Sequence, residues 1–250
     1  MKRFILLLAT FLTLPTFAQN WGRNTESAFV NEALDVEVDA NGNTYTTGYI
    51  TGQTAFDVTV VQSSAAGNGD IYVAKYAQNG SLTWAKQFGG NFSDRSYDLC
   101  IDQANNVIIT GQFYGSVTFG STTLVSASNS KDIFIAKLSP AGTVLWARKE
   151  GGSSSENAYG ITADSQNNII LTGQFEGTST IAGSTFTSVT DPSTNLPSYD
   201  LFISKYDSNG NPLWVRNGAA EYEDRGLAVH TDANNNIFMT GQFSDTLLYA

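Results

Sequence analysis

The feature that most constrains this sequence is a repeat of 62 to 68 residues. Four tryptophans mark the repeat at intervals of 63, 62 and 68 residues: Trp21, Trp84, Trp146 and Trp214. Four Thr-Gly pairs keep the same three intervals: Thr47-Gly48, Thr110-Gly111, Thr172-Gly173 and Thr240-Gly241. A period of this length indicates one supersecondary unit that has been copied, and the copies must stack to bury their apolar faces.

The unit at residues 159–216 predicts four short β-strands. Extended runs occur at 159–164, 169–175, 200–206 and 212–216, and turn-forming residues separate them. Strands of this length joined by tight turns form an antiparallel meander. A stretch rich in Gly, Ser and Thr lies between the second and third runs and accounts for the long period. We expect it to form an extra hairpin or a long loop at the rim.

The turns between the strands agree from copy to copy. The first turn begins with an aspartate in every unit: Asp39, Asp102, Asp164 and Asp232. An aspartate at this position accepts hydrogen bonds from backbone amides two residues on, so we interpret these acids as turn formers. The fourth position of this turn is Gly42 or an asparagine, and the second turn carries Gly80, Gly142 or Gly210. Both residue types tolerate a positive φ.

The third strand of each unit is apolar on both faces. In the second unit Ile133 and Ile135 point one way, whereas Phe134, Ala136 and Leu138 point the other. A strand with this pattern lies in a sheet that is covered on each side. We therefore predict an all-β fold, a β-propeller of four-stranded antiparallel blades. A β-solenoid usually has a shorter repeat of about 20–30 residues, and separate sandwich domains need about 100 residues each.

The repeats divide residues 19–250 into four units, the last of them partial: about 34–88, 97–150, 159–216 and 227–250. The stretch 21–33 begins with Trp21-Gly22-Arg23, which matches a fourth strand, so we assign it to a preceding or closing blade. The sequence stops before a further third strand. We thus expect three full blades plus partial ones, an incomplete ring, and a chain that is a fragment of a longer protein.

Residues 1–18 have the features of a signal peptide. Lys2 and Arg3 supply the positive end, an apolar run extends from Phe4 to Leu14, and small residues precede a cleavage point after Ala18. The run is short for a membrane span, and an uncleaved anchor is the alternative. Cleavage removes two of the 13 basic residues and none of the 23 acidic ones, which leaves a formal charge of −12. That charge argues against nucleic acid and anionic membrane surfaces as partners, since both need a positive face. We expect a protein that is secreted or held at the cell surface, with no membrane insertion after cleavage.

The sequence predicts no catalytic residue, cofactor or metal site. Cys100 is the only cysteine, so no internal disulfide can form, and we interpret it as a buried, inert thiol. His230 is the only histidine and occupies the equivalent position in the fourth unit. We expect it to be a half-exposed strand residue rather than a catalytic base.

Two further sets of acids recur, and we interpret both as structural. One set precedes the third strand, five residues before a lysine on the opposite face: Asp70, Asp132 and Asp200, with Lys75, Lys137 and Lys205. We expect these side chains to pair with neighbouring strands or blades. The other set precedes the first strand, in interblade loops: Asp94, Glu156 and Asp224. Such acids could hold Ca²⁺, but their spacing is not that of a dedicated calcium loop.

Three segments of the first unit resemble a bacterial secreted repeat, the seven-bladed β-propeller repeat or SBBP family. They are Gly42-Asn43-Thr44-Tyr45-Thr46-Thr47-Gly48, Asp70-Ile71-Tyr72-Val73-Ala74-Lys75-Tyr76 and Asn79-Gly80-Ser81-Leu82-Thr83-Trp84-Ala85. The resemblance covers nearly all of residues 21–250. It implies a propeller on an exported bacterial protein of the surface or secreted type, and it implies no catalytic residues.

The sequence favours a secreted, non-enzymatic β-propeller scaffold that binds or adheres to protein or polysaccharide through loops at one end. One alternative is an exported polysaccharide hydrolase or lyase with carboxylates near the channel, for which the unrepeated acids Glu150, Glu221 and Glu223 are the weak candidates. Loss of turnover on substitution of Glu223 or Asp224 would support it. Another is an architectural spacer of a larger surface protein. The six-residue excess at 190–198 is either an extended loop on a binding face or neutral drift.

Overall fold

The structure of this chain is a computed structural model that describes residues 30–65, 67–127, 130–219 and 221–244, and the strand at 248–249. The predicted signal peptide at 1–18 and the predicted strand at Trp21 lie outside these residues. In the described part all regular structure is β-strand, which confirms the predicted all-β class. No helix in that part is long and apolar enough to cross a membrane.

The described strands form three complete blades and the first two strands of a fourth. Blade 1 contains β1 (Asn31–Val38), β2 (Thr44–Ile50), β3 (Gln53–Phe56), β4 (Thr59–Gln62), β5 (Asp70–Tyr76) and β6 (Leu82–Phe88). Blade 2 contains β7 (Arg95–Ile101), β8 (Val107–Tyr114), β9 (Ser116–Phe119), β10 (Thr122–Val125), β11 (Lys131–Leu138) and β12 (Val144–Gly152).

Blade 3 has the same plan with one small hairpin added. It contains β13 (Glu156–Ala163), β14 (Ile169–Glu176), β15 (Thr178–Ile181), β16 (Ser184–Thr187), β17 (Thr190–Asp191), β18 (Leu196–Pro197), β19 (Tyr199–Tyr206) and β20 (Pro212–Ala219). The described part of blade 4 is β21 (Arg225–Thr231), β22 (Ile237–Gln242) and β23 (Leu248–Tyr249). The six-residue excess of the third unit thus forms the β17–β18 hairpin.

Each complete blade is a four-stranded antiparallel meander, as predicted from the repeat: β1-β2-β5-β6, β7-β8-β11-β12 and β13-β14-β19-β20. The first strands of successive blades, β1, β7, β13 and β21, pack against one another, so they form the inner edge of the array. These first strands begin two or three residues before the unit boundaries read from the sequence. Asn31–Ala33 therefore belong to β1 of blade 1 and not to a preceding blade.

The apolar residues of the third strands fill two different interfaces, as the sequence predicted. Phe134, Ala136 and Leu138 pack into the core between blades 1 and 2. Ile133 and Ile135 pack into the core between blades 2 and 3. Burial of both faces is what holds the blades together, because apolar surface removed from water contributes about 25 cal/mol per Å².

The Thr-Gly pairs recur because the backbone of the first strand passes very close to the second. A Cβ on Gly173 would lie 1.9 Å from the carbonyl oxygen of Asn157, and the other three glycines meet equivalent carbonyls at 1.9 to 2.1 Å. The preceding threonine is also buried, and Thr172 Oγ1 donates a 2.7 Å hydrogen bond to the carbonyl of Phe202 in the third strand. The glycine thus permits the first two strands to approach closely, and the threonine connects the second strand to the third by a hydrogen bond.

The rim segment between the second and third strands forms a hairpin in every complete blade, as expected: β3–β4, β9–β10 and β15–β16. The sequence did not reveal that a hairpin also pairs with the preceding blade. In blade 3, β15 pairs with the end of β12 through Gly151 and Gly152. A Cβ on Gly152 would lie 2.0 Å from the carbonyl oxygen of Thr178, so this pairing requires glycine. β23 pairs with β20 in the same way.

The recurrent tryptophans hold the second turn of the next blade. Trp84 Nε1 and Lys75 Nζ both donate to the carbonyl of Pro140, over 3.1 and 3.2 Å. Trp146 Nε1 and Lys137 Nζ both donate to the carbonyl of Ser208, over 3.3 and 3.1 Å. We call this arrangement the interblade latch. The latch explains why the sequence distance between a fourth-strand tryptophan and the turn of the next unit recurs in this chain.

The turn glycine completes the latch. Gly142 and Gly210 both have positive φ, of 78° and 81°, and Gly80 has 80°, as the sequence predicted. A Cβ on Gly142 would lie 3.0 Å from the Trp84 ring, and a Cβ on Gly210 would lie 3.2 Å from the Trp146 ring. The indole therefore lies directly against the glycine of the next blade.

Replacement of Gly173 by alanine tests the close approach of the first two strands. Because the new Cβ would overlap the Asn157 carbonyl, Gly173→Ala should lower the free energy of unfolding by about 3 kcal/mol or more. The control is Gly183→Ala, where no atom lies within 4 Å and the cost is the left-handed backbone alone, about 1–2 kcal/mol. Urea unfolding followed by tryptophan fluorescence measures both, and equal losses would contradict the steric explanation.

Replacement of Trp146 by phenylalanine tests the latch. Trp146→Phe keeps an aromatic ring against Gly210 but removes the donor to Ser208, so it should destabilise the protein by about 1 kcal/mol. Trp214→Phe is the matched control, because no described residue accepts a hydrogen bond from Trp214. Thermal unfolding should therefore show a lower Tm for the first variant and a smaller change for the second. The reverse order would argue against the latch.

Candidate binding groove

A groove lies at the end of the blades that carries the rim hairpins, which we call the hairpin end. The opposite end, which carries the two recurrent turns, is the turn end. The groove has a volume of about 350 Å³. Its lining comes from the loop before β7 and from the adjacent ends of β7, β8 and β11, with one residue of blade 1: Asn68, Phe92, Ser93, Arg95, Tyr97, Gln112, Tyr114 and Lys131.

Two aromatic rings form one wall of the groove. Phe92 and Tyr114 contact each other edge to face, with ring centroids 4.8 Å apart and an interplanar angle of 71°. The contact depends on Gly115, which has a φ of 73° and whose Cβ would lie 2.6 Å from the Phe92 ring. Phe92 remains 46% exposed. An exposed, fixed aromatic pair of this kind is a contact surface rather than part of a core.

The inner part of the groove is formed by β7. Tyr97 contacts Tyr159 of blade 3, with ring centroids 5.3 Å apart. Burial raises the pKa of Tyr97 to about 12, and Tyr159 acts in the same direction, so its hydroxyl stays protonated. The Arg95 guanidinium lies 4.5 Å from the centre of the Tyr49 ring of blade 1, a cation–π contact that orients its charge.

Tyr114 and Lys131 of the groove are not repeated, whereas the position of Phe92 is aromatic in two of the other three copies. It is Phe29 in the first copy, Ser154 in blade 3 and Tyr222 in blade 4. The position of Tyr114 is Glu176 in blade 3. The position of Lys131 is Gly69 in blade 1 and Tyr199 in blade 3. Tyr114 and Lys131 therefore do not belong to the pattern of residues that recurs in every blade.

A second groove, at the turn end between blades 2 and 3, has a volume of about 460 Å³. Asp102, Lys137, Trp146 and Ser208 line it. Lys137, Trp146 and Ser208 form the interblade latch, and Lys137 also pairs with Asp102 over 2.8 Å. This groove is therefore a by-product of how the blades are joined.

The turn aspartates have the structural role predicted for them. Asp102 Oδ1 accepts hydrogen bonds of 2.9 Å from the backbone amides of Ala104 and Asn106. Burial acts to raise the pKa of Asp102, but hydrogen bonds from Lys137 and Asn106 outweigh it and hold the pKa below its usual value. Positive φ occurs at the fourth turn position as expected, at Gly42, Asn105, Asn167 and Asn235.

The lysines and acids of the third strand pair with neighbouring strands, as predicted. Lys205 Nζ lies 2.7 Å from Asp164 at the first turn of its own blade. Asp132, at the other end of the strand, accepts a 2.8 Å hydrogen bond from Lys149 in the fourth strand.

The two recurrent sets of acids come together at the blade junctions, fully buried. The pairs are Asp70 with Asp94, Asp132 with Glu156, and Asp200 with Asp224. Burial raises the pKa of Asp94 and of Glu156 to about 8 and that of Asp200 to about 7, and the second acid of each pair adds to the shift. In the described part of the chain, no group of three or more His, Cys, Asp or Glu residues could hold a metal ion.

The weak catalytic candidates do not form one site. Glu150 is buried in blade 2, where it pairs with Arg148 over 2.5 Å and accepts a 2.9 Å hydrogen bond from the amide of Ala182 in the next rim hairpin. Glu223 is exposed beside blade 4 and pairs with Arg225. Glu221 is also exposed, whereas Asp224 is buried. Glu150 thus has a structural role, as a link between blades.

Cys100 and His230 lie at equivalent positions with different surroundings. Cys100 is buried between blades 2 and 3, and burial raises the pKa of its thiol, in agreement with an inert side chain. His230 lies on β21 and is exposed, because no described strand covers that face.

Sequence reasoning missed a carboxylate pair on the inner strands. Asp35 Oδ2 accepts a 3.0 Å hydrogen bond from the amide of Leu99, and Asp98 Oδ2 accepts one of 2.7 Å from the amide of Ile161. Each acid thus links its first strand to that of the next blade. The sequence does carry one signal for this pair, because an aspartate recurs at the β-bulge of the first strand in blades 1 and 2. Blade 3 has Gly160 at that position, which hides the pattern.

Comparisons with known proteins agree with this architecture. No family model matches the chain. The chain is similar to an uncharacterized WD repeat-containing protein of Acanthamoeba polyphaga mimivirus, with 28% identity over 204 residues. The match covers 70% of this chain and 14% of that protein. The chain is therefore a distant homologue of a WD-repeat protein, and its repeated antiparallel sheets are those of a β-propeller-type repeat protein.

The buried acid pairs predict a characteristic pH dependence of stability. A carboxyl whose pKa is raised on folding stabilises the protein at low pH, and this contribution is lost as the pH rises from its ordinary value of 4.5 towards about 8. Glu156→Gln removes that titration. The free energy of unfolding of the variant, measured relative to wild type, should therefore rise by up to about 1.4 kcal/mol per pH unit between pH 5 and 8.

Thermal unfolding at pH 5, 6, 7 and 8 measures this relative gain. Glu221→Gln is the control, because Glu221 is exposed, and its profile should follow that of wild type. Parallel profiles for wild type and Glu156→Gln would show that Glu156 ionises normally in the folded protein.

Proposed function

We propose that this chain is a non-enzymatic β-propeller scaffold of an exported protein and that it binds polysaccharide in the groove at the hairpin end. The observation that carries the proposal is a cavity of about 350 Å³ whose wall is the exposed Phe92–Tyr114 pair and whose lining includes Lys131. The predicted signal peptide and the resemblance to the SBBP repeat support export.

The chemistry of the groove suits a sugar chain. The apolar C–H faces of a sugar ring pack on aromatic side chains, and the Phe92–Tyr114 pair offers such a surface with little entropy to lose on binding. Sugar hydroxyls need both donors and acceptors, which the amides of Asn68 and Gln112 supply together with Arg95. A few polar groups beside an aromatic wall are what orient a ligand in a concave site.

The same groove is poorly suited to glycoside hydrolysis. That reaction uses two carboxyl groups on either side of the bond that breaks. Among the described residues that line the groove, none is a carboxylate. The buried acids at the blade junctions and the Asp35–Asp98 pair all serve contacts between strands or blades, so we assign them to the fold.

Phe92→Ala tests the proposal. Affinity electrophoresis of the purified chain through gels containing different plant, algal and bacterial polysaccharides measures retardation by each polymer. Loss of a central aromatic contact should weaken binding about tenfold or more. Tyr222→Ala is the matched control, since Tyr222 is 41% exposed at the equivalent position of blade 4 and lies outside the groove lining.

The alternatives predict different outcomes of the same experiment. An architectural spacer gives no retardation by any polymer. A hydrolase or lyase releases new reducing ends with time, which a reducing-sugar assay on the same polymers detects. Equal retardation of wild type and Phe92→Ala would place the binding surface elsewhere on the protein.

A further inference from the structure

We propose, on the basis of the proposed function, that the groove selects an anionic polysaccharide whose carboxylates bind Arg95 and Lys131. The substrate class is a uronic acid polymer. Both cations line the groove, and no carboxylate does so among its described residues. This is the reverse of the molecule as a whole, whose formal charge is −10.

Neither cation is neutralised by a described side chain. Lys131 is exposed at the start of β11 and makes no ion pair with a described residue. Arg95 contacts the face of Tyr49 and hydrogen-bonds with the Tyr97 hydroxyl, and neither group is an anion. A guanidinium binds a carboxylate through two parallel hydrogen bonds, while a lysine acts as a flexible point charge, so the two together suit successive acidic groups.

The other copies of the repeat show that a free arginine here is not required by the fold. Arg225 occupies the position of Arg95 in blade 4, and Glu223 pairs with it over 2.5 Å. In blade 2 the position of Glu223 is Ser93, so the internal partner is missing. In blade 3 the arginine is replaced by Asn157, and Glu176 stands where blade 2 has Tyr114. Positive charge is thus specific to the groove of blade 2.

The acids closest to the groove do not line it. Asp94 lies beneath it, fully buried, and its carboxylate oxygens accept backbone hydrogen bonds from Tyr114 and Gly90. Because burial raises the pKa of Asp94 to about 8, this group is mostly neutral at pH 7. Glu32 hydrogen-bonds with Tyr49, on the blade 1 side of Arg95. The groove therefore presents two cations beside two exposed or half-exposed aromatic rings.

The test compares each uronate polymer with the form of the same polymer in which the carboxyl groups have been reduced. The probes are polygalacturonate, polymannuronate and hyaluronan, each beside its carboxyl-reduced form, with dissociation constants measured at pH 7 by titration calorimetry. We expect at least one uronate polymer to bind about tenfold or more tightly than its reduced form, and this preference should shrink as salt is raised.

Two substitutions at one site make the test specific. Ser93→Glu supplies Arg95 with the partner that Arg225 has in blade 4, so it should remove most of the preference for the uronate polymer. Ser93→Gln has nearly the same size without the charge and should keep that preference. Lys131→Gln changes an exposed residue and should lower the preference for the uronate polymer by a route that does not involve Arg95. Lys86→Gln lies outside the groove and should leave this preference unchanged. Melting temperatures confirm that each variant is folded.

The outcomes separate the two proposals. Equal binding of charged and reduced polymers, still lost in Phe92→Ala, retains the binding groove and overturns its selectivity for anions. A preference unchanged in both Ser93→Glu and Lys131→Gln also overturns this inference. Failure of every polymer to bind overturns the proposed function and this inference with it.

Discussion

The structure depends on the contact that blades 1 and 2 each make with a turn of the blade that follows. One backbone carbonyl in that turn accepts hydrogen bonds from both a tryptophan and a lysine of the preceding blade, and the indole lies against the turn glycine. Apolar packing alone is non-directional and would allow neighbouring sheets to slide or rotate. The latch adds direction, since a bond to a carbonyl at the end of the sheet fixes both the spacing and the register of the next blade.

The blade junctions combine this apolar core with buried carboxyl groups. Ionised acids in such surroundings are costly, so burial raises the pKa of Asp94, Glu156 and Asp200, and these groups accept backbone hydrogen bonds. Once the blades have packed, water no longer reaches these carboxyl groups, so other protein groups must supply their hydrogen bonds. The groove at the hairpin end differs from these junctions because Lys131 is exposed there and because Tyr114 and Lys131 are replaced in the other blades.

Much of the fold could be predicted from local patterns. Alternation along Ile133–Leu138 correctly separated residues of two different cores, and the turn residues correctly marked the positions with positive φ. The groove could not be predicted, because Asn68 and Tyr114 are 46 residues apart in the chain and meet only when two blades pack. The pairing of β15 with β12 was missed for the same reason, since a glycine pair at a strand end reads as an ordinary turn signal.

The sequence by itself determined the repeat, the class of fold and most strand and turn positions, because these follow from the period of apolar residues and from the φ values that glycine and asparagine tolerate. The tertiary structure alone decided which carbonyl each tryptophan contacts, which acids are buried as pairs, and which unrepeated side chains share a groove. The physical reason is the distance along the sequence over which each interaction acts. Periodicity and turn chemistry act within a few residues, whereas burial, charge and hydrogen bonding at these sites arise between residues of different blades, about 30 to 70 positions apart.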